Sequence, residues 1–282
     1  MRLTSILAVL TLLTFTSTAQ DFSNKGTDFW VGYGYHVRYV TSGSCGGTNC
    51  QDLVLYFAAD VNTNVKVEVP AVGYVATYVV PAGQNVESAP LPKSGSQDCR
   101  LTAGGLYNTG IHITSDNPIV AYAHNYSGNV SGATILFPTN TLGKEYYSLS
   151  YKQYSNEGSS NSYLFIIATE PGTTSVDITP SGATTTIPGG TTTTVSLTQG
   201  QIYNVMGTVS GNTGVDLSGS YVKSRPGSDG SCKKIAVFSG SGKINLGCPL
   251  GNGTGDNLFA QCFPKAAWGQ KYLTAPTKNL PN

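Results

Sequence analysis

The chain has 282 residues, enough for one or two cores. Only 11% are charged, and 16 Lys and Arg stand against 15 Asp and Glu, a balance that provides no field strong enough to draw in nucleic acid or an anionic membrane. The sequence is rich in Gly, Ser, Thr, Asn, Tyr and Val, residues that suit strands joined by turns and disfavour long helices. The expected fold is all-β.

Residues 1–19 read as a secretory signal peptide: Arg2 gives the positive start, residues 6–15 the apolar stretch, and Ser17, Thr18 and Ala19 a small-x-small cleavage site, so maturation is expected at Gln20. Thr11 and Thr14 interrupt the apolar run, which falls short of the roughly 18 residues that a membrane span needs. After a polar lead-in, residues 28–35 (DFWVGYGY) are expected as the first strand, its glycines permitting close packing or a bulge. Residues 37–49 read as a long loop. Residues 53–59 (LVLYFAA) form a continuous apolar strand of the kind buried on both faces. Past a turn at 60–64, Val65, Val67 and Val69 alternate with Lys66 and Glu68 as a half-exposed strand that stops at Pro70, and residues 74–80 make another.

The second half repeats this grammar. Residues 163–168 (YLFIIA) match the buried strand, 174–178 match 63–67, 188–190 match 81–83, and 191–197 give a Thr-rich strand. Residues 118–122 correspond to 234–238. The sharpest match is a spaced pattern: Phe137-Pro138-x4-Gly143-x2-Tyr146 recurs as Phe263-Pro264-x4-Gly269-x2-Tyr272, and Gly26 opens an earlier copy, GTDFWV. The copies lie 117 and 126 residues apart, the size of a small β domain. The expected architecture is two tandem antiparallel β-sandwich-like domains, residues 20–138 and 139–264, with 265–282 opening a third, truncated repeat. Proline stops strand pairing and glycine lets the chain turn. Phe137, Pro138, Gly143 and Tyr146, with Phe263, Pro264, Gly269 and Tyr272, are therefore the candidate domain joints of a stiff rod.

Six cysteines in an exported chain point to structural disulfides. Cys45 and Cys50 bracket a short loop, Cys232 and Cys248 flank an expected hairpin, and Cys99 and Cys262 remain. None has metal-ligand spacing. His36, His112 and His124 are scattered, His112 on a strand face opposite two isoleucines, and no Gly-x-Ser-x-Gly elbow supplies a nucleophile. Glu145, Glu157, Glu170 and Asp177, the candidate acids for glycoside hydrolysis, read as solvated charges on turns and polar faces. Loops 227–230 and 251–257 carry turn carbonyls with Asp and Asn oxygens that would suit calcium, without EF-hand or β-roll spacing. No other cofactor is expected. Residues 239–243 (SGSGK) mimic a phosphate loop, but Ile244 stands where Ser or Thr is required, and a hairpin turn is expected. Among the 17 tyrosines, Tyr33, Tyr35, Tyr39, Tyr126, Tyr151 and Tyr154 lie near Gly- or Ser-rich loops of a kind used in binding surfaces.

Taken together, GTDFWVGYGYH, LVLYFAA, PKSGSQDCRL, the block from GIHITSDNPIVAYAHNYSG to LFPTNTLGKEYYSL, and KKIAVFSGSGKINLG with FPKAAWGQKYLTAPT resemble the IgGFc-binding-protein N-terminal domain, in the version found in long surface proteins of gliding bacteria. That resemblance implies extracellular β domains of a larger, adhesin-like protein, often with a gliding-associated sorting domain downstream; it transfers no set of binding residues. The expected function is a non-catalytic extracellular binding or adhesion module, with an extracellular protein or glycan as partner. A secreted carbohydrate-active enzyme or its accessory domain, and a spacer displaying downstream domains, are the alternatives.

Overall fold

The computed structural model describes residues 24–227, 230–246 and 254–273. The expected signal peptide lies outside them, as do Cys248 and much of both expected calcium loops. In chain order the strands are β1 (Gly26–Val31), β2 (Asp52–Ala59), β3 (Thr63–Val69), β4 (Tyr74–Val80), β5 (Asn85–Glu87), β6 (Gly105–Tyr107), β7 (Ile111–Ser127), β8 (Val130–Ile135) and β9 (Glu145–Tyr147). There follow β10 (Ser162–Ala168), β11 (Thr173–Thr179), β12 (Thr193–Thr198), β13 (Ile202–Met206), β14 (Val209–Ser210), β15 (Thr213–Gly214), β16 (Tyr221–Ser224), β17 (Ile235–Asn245) and β18 (Gly255–Gln261). The fold is all-β, with every pairing between these strands antiparallel.

One pairing plan runs through both halves. In the first, the long β7 pairs with β3 and β1 through its N-terminal part and with β2 and β8 through the remainder, β4 flanking β3 and β5 flanking β2. In the second, β12-β11-β16-β9 and β18-β17-β10-β13 follow the same order as separate sheets, β16 and β17 together standing where β7 alone stands before. The strand that runs on through Pro118 in the first half is two strands in the second, β16 ending at Ser224 and β17 starting at Ile235. Sequence alternation decides which side chains face inward: Val65, Val67 and Val69 are fully buried beside exposed Lys66.

The two halves do not keep separate cores. The central strands β10 and β17 of the β18-β17-β10-β13 sheet are buried on both faces. Tyr163, Phe165 and Ile167 of β10 join a core containing Phe29, Leu55, Phe57 and Ile113, while Leu164, Ile166 and Ala168 join Val176, Ile178, Leu197 and Val222 on the other side. This two-sided burial explains the uninterrupted apolar run of β10. In β2, by contrast, Leu53, Leu55 and Phe57 are buried but Tyr56 and Ala58 remain half-exposed on the outer face. β6, from the first half, completes the edge of the second half's sheet beside β13. Residue 138 thus lies between strands that contribute to one shared core cluster.

Glycines make this contact possible. A Cβ on Gly34 would sit 2.1 Å from the Tyr163 ring, and one on Gly32 would sit 2.7 Å from Ile202. The expected first strand accordingly stops at Val31, and residues 32–35 lie directly on the central sheet. Between the layers, Arg38 and Lys243, both nearly buried, each reach Glu157 at 2.5 Å. Burial alone would raise the Glu157 carboxyl; hydrogen bonds from the two cations overrule it and hold it below its ordinary value. His36 is fully buried, its Nδ1 accepting from the Arg38 backbone N–H at 3.1 Å, which leaves Nε2 to donate to the Val130 carbonyl at 3.2 Å. Burial pushes this imidazole down to about 4.

Two sequence expectations are corrected here. Residues 239–243 form no hairpin turn: they run through the middle of β17, because Gly240 and Gly242 admit the Leu258 carbonyl and the Tyr35 ring where any side chain would collide. Cys99 and Cys262 are free buried thiols in different core clusters, so the expected pair is not made. Burial raises both, Cys99 to about 12. The Cys45–Cys50 disulfide does form, across a Cα separation of 5.5 Å. The Cys232–Cys248 pairing involves a residue outside the described ones.

Candidate binding face

Catalytic candidates disperse. His112 stacks on Trp30 at 4.2 Å, with Asp28 3.0 Å from Nε2 and Glu68 3.4 Å from Nδ1, so carboxylates face both nitrogens and neither is left to deprotonate a nucleophile. The acids are held by separate partners: Glu145 by Lys265 and Tyr221, Glu170 by the Lys234 backbone N–H, Asp177 by Arg225 and Thr194, and half-buried Glu157 by Arg38 and Lys243. The hydrogen bonds from Lys265 and Tyr221 keep Glu145 below its ordinary value. Among the described residues, no group of three or more His, Cys, Asp and Glu is placed to hold a metal ion.

The candidate tyrosines divide. Tyr33, Tyr35 and Tyr39 belong to the core. The Tyr33 hydroxyl donates to the Val54 carbonyl at 2.6 Å, and Tyr39 donates to the Gly34 carbonyl at 2.9 Å while accepting from Asn125. Buried phenols of this kind pack and tie backbone; they do not meet ligands. Tyr151 is exposed and Tyr154 half-buried against the β14–β15 ladder. Tyr126 is the one that lies on a shared surface.

That surface is the outer face of the β5-β2-β7-β8 strands. Strand period places Tyr122, His124 and Tyr126 on one side of β7, opposite the buried Ala121, Ala123 and Asn125. Across the pairing, Tyr122 faces Tyr56 of β2 and Ile135 of β8. The His124 ring lies 4.6 Å from Tyr126 and 6.0 Å from Tyr56. Tyr56, Ala58, Asn85, Val120, Tyr122, His124 and Ala133 enclose a shallow groove of about 620 Å³. Burial, opposed by Glu87 and Asp256, holds His124 below the usual imidazole value, so the ring is neutral at pH 7. Burial also raises the phenols of Tyr56 and Tyr126, helped by Glu87. The groove is aromatic and nearly uncharged, and it sits on paired strands rather than on loops. Sequence reading missed Tyr56, Tyr122 and His124; the alternation in residues 121–126 (AYAHNY) was the signal that would have found the latter two.

A second groove, of about 650 Å³, lies at the Phe-Pro turns. Asn24, Ile135, Phe137, Thr141, Phe263, Pro264, Ala266, Ala267 and Trp268 line it. The structure brings the expected joint residues together in matching pairs: Pro138 packs on Gly26, Pro264 packs on Gly143, and the Phe137 and Phe263 rings lie 4.5 Å apart. Tyr146 is buried, accepting from the Gly143 N–H and donating to the Ile235 carbonyl, each at 2.7 Å. Ile135, which lines this groove, pairs with Tyr122 of the first. No helix among the described residues is long and apolar enough to cross a membrane.

A family model described as IgGFc binding protein matches residues 132–282, from within β8 through the whole second half. No curated protein and no solved structure matches. The matched span is more than half of the chain and contains both Phe-Pro turns and the central sheet, and on that basis the chain belongs to the IgGFc binding protein family.

Proposed function

We propose that the chain is a non-catalytic extracellular binding or adhesion module of a larger secreted or cell-surface protein, and that the β5-β2-β7-β8 face is where its partner docks. The observation that carries this reading is the cluster of Tyr56, Tyr122, His124 and Tyr126 around an uncharged groove on a rigid sheet. Rigid tyrosines offer large contact area at little entropic cost, and Tyr is enriched at the hot spots of protein interfaces. An extracellular protein is the expected partner, in keeping with the family; the signal peptide at residues 1–19 supports export. The same row of rings is suited to stacking on sugars, so a glycan is the second reading.

The test presents the purified chain to immobilised extracellular proteins, immunoglobulin among them, and to a glycan array. Tyr122→Ala and Tyr56→Ala are expected to weaken whatever binds by about tenfold each, as loss of an aromatic hot spot does. Binding unchanged in both variants would reject this face as the docking site. Reducing-sugar release from polysaccharides, lost on substitution of an acid, would favour the enzyme alternative, and absence of any ligand the spacer.

A further inference from the structure

The two Phe-Pro turns are built alike. Pro138 and Pro264 are extended (ψ 153° and 144°), and each leads into a single 3-10 turn, Thr139–Thr141 or Lys265–Ala267. Thr141 and Ala267 close these turns onto the proline carbonyl with bonds of 2.9 Å each. Each turn packs on a glycine that lies earlier in the chain and opens a docked segment. Gly26 lies opposite Ile119 and under Pro138; Gly143 lies opposite Ile235 and under Pro264. Phe29 and Tyr146, three residues past each glycine, are both fully buried.

The third copy begins the same way and is uncovered among the described residues. Gly269 donates to the Tyr272 hydroxyl at 2.5 Å, the local bond that Gly143 makes to Tyr146. Yet Tyr272 is 70% exposed, and no proline packs on Gly269 among the described residues. Phe263 covers Phe137, but Phe263 is itself 59% exposed. Trp268 occupies the place of the buried Leu142 and is 49% exposed, touching Tyr147 at 5.6 Å.

We propose that the exposed Phe263 and Trp268 form a seat for the Phe-Pro turn of one more β unit built on this plan, and that Gly269 and Tyr272 open the strand docking into that unit. The occupant is specified by what fills the equivalent positions within this chain: a proline for Gly269, as on Gly26 and Gly143, an aromatic ring for Phe263, as on Phe137, and a backbone carbonyl for the Tyr272 hydroxyl, as Ile235 gives Tyr146. Pro138 and Gly143 would then set the geometry between successive units.

The chain has two tryptophans, and Trp30 is 2% exposed, so acrylamide quenching reports Trp268. The probe is a synthetic peptide of residues 133–147, carrying the Phe137-Pro138 turn and the Gly143 strand, added to the full chain at millimolar concentration. A blue-shifted emission and a severalfold fall in quenching are expected, lost when the peptide carries Phe137→Ser and Pro138→Ala and lost again when the chain carries Phe263→Ala. Equal effects of both peptides, or no effect of either, would overturn the proposal. So would protection that rises with protein concentration alone, which would assign the groove to a second copy of the chain. Because Tyr122→Ala should leave the peptide effect intact, failure here is distinguishable from failure of the sheet-face reading.

Discussion

Gly34→Ala tests the shared interior. The new methyl would lie 2.1 Å from Cε2, 2.3 Å from Cζ and 2.7 Å from the hydroxyl of Tyr163. That ring cannot simply withdraw: it is 1% exposed, stacks beside Phe165 and donates to the Leu258 carbonyl at 2.9 Å. Overpacking costs about 1–3 kcal/mol, the displaced hydrogen bond about 1 kcal/mol, and the alanine returns about 0.4–1 kcal/mol through the unfolded chain. The net expectation is destabilisation by about 2–3 kcal/mol. Urea unfolding followed by far-ultraviolet circular dichroism and by the fluorescence of buried Trp30 would read it, and both probes should move together because the core spans both halves. Gly47→Ala is the control, since a Cβ there meets nothing within 4 Å. If Gly34→Ala unfolds no earlier than Gly47→Ala, or if two transitions appear and only one moves, the shared core is refuted.

Two further outcomes follow from the groups buried between the layers. His36 is held at about 4 in the folded chain against about 6.5 unfolded, so its contribution is complete above pH 6.5 and is lost as pH falls toward 4; the loss is about 3 kcal/mol. Urea midpoints at pH 7, 5 and 4 should decline accordingly, and a His36→Asn variant with the same slope would show that another group is responsible. Glu157→Gln leaves Arg38 and Lys243 without a counter-charge; breaking a buried pair costs about 3–5 kcal/mol, and partial exposure of Glu157 brings the expectation to about 2 kcal/mol. The same melts would expose the error if this variant matched the parent.

Local chemistry made much of this molecule legible. Alternation in residues 65–69 gives β3 with its inward valines, the apolar run at 163–168 gives β10, and the short Cys45–Cys50 spacing gives the disulfide, because each depends on residues a few positions apart. The residues of the spaced Phe-Pro-Gly-Tyr pattern, expected as domain joints, come into contact: Gly143 receives Pro264 and Phe137 meets Phe263. The Gly-Ser alternation of 239–243 was misleading: in isolation it favours a turn, and only the nearby Leu258 carbonyl and Tyr35 ring explain why glycine sits inside a strand.

By itself, then, the sequence determined an all-β chain and the period of its strands, both of which are written in short-range patterns of apolarity, proline and glycine. Only the tertiary structure decided that Tyr33, Tyr35 and Tyr39 are core while Tyr56, Tyr122 and Tyr126 share an outer face, and that one sheet serves both halves. The physical reason is common to both. A strand's alternation fixes which side chains point the same way, but whether that side meets water or another sheet depends on what distant segment covers it.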